Sequence, residues 1–260
     1  MTILDKIIKN KKRELSLLKE SVSVSDLEES PLFGRKLISL SRSVTDKSKT
    51  GIIAEFKRKS PSKGIINSIS GVEEVTSGYC SEGASGISVL TDHRFFAGSN
   101  EDLKCARMRS TIPILRKDFI IDEYQVIESK SIGADAILLI AAALDKNEIL
   151  ILSRLAQSLE MEVLLEIHEQ NELEKANRFI DIIGVNNRDL KTFDVNIERS
   201  ELLADKILPG FIKISESGIS SPRVIRNLRA FGYDGFLIGE TFMCTADPVK
   251  AFSDFVKNIK

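Results

Sequence analysis

Glu55 and Lys57 stand two residues apart at the end of a short apolar run, so in an extended strand both point to the same side. Carboxylate and ammonium groups in a semi-enclosed space shift one another's pKa values, and acids and bases tuned in this way are what general acid–base chemistry without a metal requires. The pattern recurs along the chain. Leu115-Arg116-Lys117-Asp118, Leu164-Leu165-Glu166-Ile167-His168, Val185-Asn186-Asn187-Arg188 and Ser215-Glu216-Ser217-Gly218 each end an apolar run in ionisable or amide side chains. Taken singly, a Lys or Glu at such a place is more often a solvated loop residue. Recurrence at five strand ends points instead to one shared polar mouth.

A second signal concerns anions. Ser217-Gly218-Ile219-Ser220 and Gly239-Glu240-Thr241 follow the last two apolar runs. Glycine lets a backbone approach an anion closely, and N–H groups at the start of a helix are free to bind one. Ser60-Pro61-Ser62-Lys63-Gly64 adds hydroxyls and charge beside the same mouth, through Ser60 and Ser62. Phe96, Phe119 and Leu138 are candidates for an apolar wall over a ring-shaped substrate. His168 shares parity with Glu166 and either reaches the site or tethers a loop.

Such groups need a scaffold that brings strand ends together. Apolar, β-branched runs recur at Gly51–Phe56, Gly86–Thr91, Ile112–Arg116, Ala136–Ile140, Glu162–Ile167, Ile182–Val185, Phe211–Ser215 and Gly235–Ile238. Helical patterning falls between them at Tyr124–Ile132, Lys146–Leu159, Glu169–Phe179 and Pro222–Phe231, the last with a capping serine and Pro222 at its first position. Asp247-Pro248 repeats that device for a final helix. Strands buried on both faces and alternating with helices form parallel βαβ units, and eight of them fit a closed (β/α)8 TIM barrel. A doubly wound open sheet would carry a glycine-rich fingerprint after its first strand, where this chain has Lys57-Arg58-Lys59-Ser60. The expected organisation is a single domain over 1–260, with 1–48 as a helical N-terminal extension and 49–260 as the barrel. Within the extension, Ile3-Leu4, Ile7-Ile8, Leu15 and Leu18 predict an amphipathic helix whose basic face (Lys9, Lys11, Lys12, Arg13) is solvated. Ser25-Asp26-Leu27-Glu28 predicts a helix start, and Ser39 to Lys49 reads as a polar linker.

Composition narrows the function classes. The 260 residues carry a net charge of −1, so no global field recruits nucleic acid or an acidic membrane. The apolar run Ala136 to Leu144 is about half the length of a membrane span, which takes roughly 20 residues. It reads as a buried strand leading into a loop. Three scattered cysteines in no CxxC pairing and two histidines make a disulfide framework or a typical histidine-based metal centre unexpected. No signal-peptide core is visible at the N-terminus. The expectation is a cytoplasmic, cofactor-free enzyme acting on a small phosphorylated substrate, without metal, nucleic acid or membrane as partner. No broad apolar face stands out beyond the barrel's own needs, so a monomer is expected.

At these residues the sequence closely resembles the indole-3-glycerol phosphate synthase family. The resemblance spans the chain through IIAEFKRKSPSKG (52–64), SVLTDHRFFAGS (88–99), LRKDFIIDEYQV (115–126), LLEIHEQNELE (164–174), GVNNRDLKTF (184–193), ISESGI (214–219) and FLIGETFM (236–243). It implies conversion of 1-(2-carboxyphenylamino)-1-deoxyribulose 5-phosphate to indole-3-glycerol phosphate, with loss of carbon dioxide and water and without cofactor or metal. It further implies that Lys117 is the general acid of ring closure. Glu166 and Glu55 stabilise positive charge and assist proton removal. Lys57 engages anionic groups, and either it or Lys117 is the acid of dehydration. Asn186 and Arg188 orient the substrate. Ser217, Gly218, Gly239 and Glu240 bind phosphate, the last through its backbone N–H, since some members have serine there. Glu216 is grouped with these substrate- and phosphate-binding residues. An aldolase with Lys117 as Schiff-base nucleophile, or a barrel that only binds a phosphorylated metabolite, are the competing readings.

Overall fold

The computed structural model describes residues 2–259. The eight apolar runs become eight strands: β1 (Ile52–Phe56), β2 (Gly86–Leu90), β3 (Ile114–Lys117), β4 (Ala136–Ile140), β5 (Glu162–Ile167), β6 (Ile182–Asn186), β7 (Ile212–Glu216) and β8 (Gly235–Ile238). Each pairs in parallel with its sequence neighbours, and β8 closes on β1 through Ile52 opposite Phe236, so the sheet is a closed barrel without edges. A two-residue antiparallel ladder, Lys59–Ser60 with Gly64–Ile65, folds the segment after β1 back on itself.

Alternation along the strands sorts the side chains. Ile53, Leu115, Ala136, Leu138, Ile140, Leu164, Ile182, Ile214 and Leu237 form one buried cluster that fills the barrel. Residues of the opposite parity, such as Ile52, Ala54, Phe56, Leu139, Leu165 and Phe236, pack outward beneath the helices. The charged residues are the next steps of the interior rows: Glu55 follows Ile53, Lys117 follows Leu115, Glu166 follows Leu164 and Glu216 follows Ile214. The barrel thus presents an acid–base layer above an apolar plug.

The segment before β1 runs from the mouth of the barrel to its base. Thr2 caps α1 (Ile3–Ser21) in a capping box with Asp5, and Ser23 does the same for α2 (Val24–Glu28) with Asp26. The polar-linker reading of Ser39 to Lys49 is corrected: it contains α3 (Leu40–Thr45), capped by Ser39. Leu40 and Val44 are fully buried against the places where Gly86 and Gly235 begin their strands, and so they stopper the barrel base. Two apolar residues among polar ones hid this role. Arg35 Nη2 and the Ile38 N–H, each 2.8 Å from buried Asp135 Oδ1, anchor the approach to this stopper.

Two other expectations are also corrected. Lys11 does not join the solvated face of α1 but is 6% exposed, because it meets the carboxylates of Asp92 and Asp118. Glu169–Phe179 forms only a 3-10 turn, Gln170–Lys175. There Glu172 accepts the His168 N–H at 2.6 Å, and Lys175 is drawn to the Ala141 and Leu144 carbonyls, which fixes a tight turn rather than a helix. Ser221 and Pro222 do start the helix Pro222–Ala230, though the Ser221 side chain makes no capping bond.

Candidate active site

The interior rows end in a cavity of about 520 Å³. At its centre, Lys117 Nζ lies 2.7 Å from Glu166 Oε2 and 3.2 Å from Glu216 Oε2. Lys57 Nζ lies 2.5 Å from Glu55 Oε1 and forms a second ammonium–carboxylate pair beside the first. Burial alone would neutralise Lys117, but the carboxylates of Glu166, Glu216 and Glu55 outweigh it and hold the ammonium form. Burial also disfavours the Glu166 carboxylate. The Lys117 charge, the neighbouring His168 and hydrogen bonds from Lys117 and Asn186 reverse that, so Glu166 is held below the usual range. Glu216 goes the other way. Burial, with the like charges of Glu166 and Glu55, raises it well above an ordinary carboxyl despite Lys117. One lysine thus sits between a carboxylate that stays charged and a carboxyl that readily keeps its proton.

Two glycines make room for these groups. A Cβ at Gly184 would lie 2.2 Å from Glu216 Oε1 and 2.7 Å from Leu164 Cδ2, so the bare backbone of β6 lets Glu216 lie inside the barrel. A Cβ at Gly239 would fall 2.5 Å from Glu55 Oε1 and 2.9 Å from its Cβ. Gly239 therefore serves the position of Glu55 as well as any approach of an anion.

The two ends of the cavity differ. At one end Phe96 and Phe119 pack with ring centroids 5.9 Å apart, next to Leu138, Ile140 and the α1 residues Ile3, Leu4 and Ile7. At the other, Ser217 (φ 65°) and Gly218 (φ 75°) turn the chain through two successive left-handed conformations. Thr241 Oγ1 donates to the Ile219 carbonyl at 2.8 Å, which binds the loops after β7 and β8 into one unit. Glu240 begins a short helix, Glu240–Met243, whose first N–H groups have no acceptor within the helix. Its side chain turns to Arg188, with Glu240 Oε2 2.9 Å from Nη2. Arg188 in turn lies on a loop folded back by a bridge to Val195, which rests on Gly218.

Glu55, Lys57, Ser60, Ser62, Phe96, Lys117, Phe119, Leu138, Glu166, Asn186, Arg188, Glu216, Ser217, Gly218, Gly239 and Glu240 all line this one cavity. Glu216, grouped with the substrate- and phosphate-binding residues, lies beside Lys117 in the buried centre of the cavity, because its strand ends inside the barrel. His168 lies outside the lining, 3.7 Å from Glu166 Oε1, and neither ring nitrogen has a hydrogen-bond partner among the described residues. Sequence reasoning missed Ile3, Leu4 and Ile7 from α1, and Leu190, Phe193 and Val195 from the loop after β6. The apolar stripe of α1 was visible, but nothing local says which surface a helix will cover.

A family model described as indole-3-glycerol phosphate synthase matches residues 4–255. Proteins of that name from Bacteroides thetaiotaomicron (48% identical, covering 99% of both chains), Thermoanaerobacter pseudethanolicus (42%, covering 99% of this chain and 98% of that one) and Polaromonas sp. (41%, covering 95% of each) are similar over nearly their whole lengths. Among solved structures, the tryptophan synthase α subunit of Legionella pneumophila superposes with a TM-score of 0.61 at 13% identity, covering 85% of this chain and 97% of its own. At that identity the likeness concerns the barrel fold alone.

Proposed function

The chain belongs to the indole-3-glycerol phosphate synthase family, and from that premise we propose how its cavity carries out the reaction. The activity is ring closure, decarboxylation and dehydration of 1-(2-carboxyphenylamino)-1-deoxyribulose 5-phosphate to indole-3-glycerol phosphate. The observation that carries the assignment of roles is the Lys117 ammonium held between Glu166 and Glu216 midway between an aromatic wall and an anion-receptive pair of loops. The substrate has the same order of parts: a ring, a reacting carbonyl and a phosphate.

In this reading the carboxyphenyl ring lies against Phe96, Phe119 and Leu138, and the phosphate meets N–H groups of the Ser217–Gly218 and Gly239–Glu240 loops. Arg188 and Asn186 orient the chain between them. The aromatic carbon bearing the carboxylate attacks the carbonyl carbon while Lys117 gives its proton to the carbonyl oxygen. The new carbon–carbon bond leaves a cationic ring, which the Glu166 carboxylate stabilises. Cleavage of the bond to carbon dioxide returns an electron pair to that ring. Loss of water then takes one acid and one base, and Lys57 with Glu55, already paired at 2.5 Å, is the set we assign to it. Side chains suffice for each step.

Incubating the purified protein with the carboxyphenylamino substrate and following indole fluorescence tests the activity. Persistent absence of signal in a folded protein that binds phosphate overturns it. Borohydride added with substrate should leave Lys117 unmodified, whereas a covalent adduct would favour the aldolase reading. No described helix is long and apolar enough to cross a membrane. A monomer in the cytoplasm, free of nucleic acid, is the setting we propose.

Gly184→Ala separates packing from chemistry. Its methyl group must push the Glu216 carboxyl away from Lys117, and displacement on that scale at a reacting centre lowers kcat by about 100-fold. Affinity for inorganic phosphate should stay unchanged, as measured by its inhibition constant. An unchanged kcat would remove Glu216 from the reacting centre.

A further inference from the structure

Lys11 is a buried cation far in sequence from every catalytic candidate, yet it lies where three walls of the cavity meet. Its Nζ is 3.1 Å from Asp92 Oδ2, 3.0 Å from Asp118 Oδ1 and 3.1 Å from Glu14 Oε2. Asp92 is fully buried and caps the short helix His93–Phe96 by accepting the Phe95 N–H at 2.8 Å. Apart from Lys11, its Oδ2 has no donor among the described residues, so Lys11 is the charge that compensates it. Asp118 is 3% exposed and accepts from Phe119 N–H at 2.8 Å and from Thr91 Oγ1 at 2.5 Å, with Arg116 at 3.2 Å. It directly follows Lys117. One ammonium group therefore joins the helix that supplies Ile3, Leu4 and Ile7, the cap that sets Phe96, and the backbone that carries Lys117 and Phe119.

We propose that Lys11 is a positioning residue for the aromatic end of the substrate site: its ammonium group latches α1 onto Asp92 and Asp118 and so fixes the wall against which the substrate's ring rests. This rests on the reading of the cavity given above. Without Lys11, the two buried carboxylates of the barrel, Asp92 and Asp118, lose the cation that α1 brings to both, and removing one member of a buried ion pair is strongly unfavourable. The seam opens at the ring end. Among the described residues the ion pairs of Lys11 go to Glu14, Asp92 and Asp118 and none to the phosphate loops after β7 and β8, which should keep their geometry.

The test compares Lys11→Met, Lys11→Arg and the double variant Lys11→Met/Asp92→Asn, which carries one buried carboxylate fewer. Lys11→Met is expected to raise KM by about 10-fold, the scale of a lost apolar contact, with a smaller change in kcat. The inhibition constant of inorganic phosphate should not move. Lys11→Arg, which keeps the charge, should recover most of the loss. If Lys11→Met does not fold, the double variant takes its place with the same expectation. An unchanged KM overturns the proposal, and so does a rise in the phosphate constant parallel to that in KM, because general loosening would then explain both. An unsubstituted protein that fails to turn over the substrate would instead overturn the functional reading, so the two failures are distinct.

Discussion

Lys117→Met is expected to abolish turnover while binding of the phosphate-bearing product stays within a few-fold of the unsubstituted protein. The methionine fills the space of the lysine stem and removes only the ammonium group. That group is the proton source in the proposed ring closure, and loss of a positioned acid costs about 10²–10⁴-fold in rate. It is also the cation that Glu166 and Glu216 share. With it gone, nothing comparable holds Glu166 below the usual range, and Glu216 is already raised by burial. Both carboxyls should then bind protons more readily, which limits the loss of stability that an unpaired buried charge otherwise brings, about 3–5 kcal/mol. Product binding through the distant loops is therefore retained, whereas the developing positive charge on the ring loses its carboxylate. Single-turnover rates give the chemical step, and fluorescence titration with indole-3-glycerol phosphate gives the affinity. A kcat equal to that of the unsubstituted protein removes Lys117 from the mechanism. A proportional loss of affinity would assign it to ground-state binding.

The legible parts of the fold and site have a common physical cause. Strands β4, β5 and β8 begin and end where the sequence places them, since a strand buried on both faces is an unbroken apolar run with charged or glycine-bearing ends. The same property exposed the chemistry: an interior row that changes from Leu164 to Glu166 declares both the face and the mouth. What was hidden depends on partners remote in sequence. Leu40 and Val44 look like strays in a polar segment until the open base of a barrel is placed beneath them. Lys11 looks like one of four solvated cations until Asp92 and Asp118 are brought to it. Glu216 and Ser217 are adjacent in the chain, yet one faces Lys117 inside the barrel and the other opens the loop after β7 at positive φ. That division is set by where β7 stops.

Gly218→Val is expected to raise KM by about 10–100-fold, with kcat much less affected, for reasons that reach beyond crowding of the phosphate. Gly218 has φ 75°, a region that costs an L-residue about 1–2 kcal/mol and a β-branched one more. A Cβ there would also lie 2.3 Å from Val195 Cγ1 and 3.2 Å from Ile197 Cδ1. The loop after β7 and the loop carrying Val195 cannot both stay in place. If the first moves, the N–H groups proposed for phosphate are misdirected. If the second moves, Arg188 moves with it, because Arg188 and Val195 form the bridge that folds that loop back. Either way the anion loses contacts on the scale of one or two charge-assisted hydrogen bonds, each worth about 1.5–3 kcal/mol. Lys117, Glu166 and Glu216 stand on strands below this collision, so substrate that does bind should still react. Steady-state kinetics separates the two constants, and inhibition by inorganic phosphate should weaken in step with KM. Should a phosphate-bearing product analogue bind Gly218→Val as tightly as the unsubstituted protein, the phosphate does not lie at Gly218.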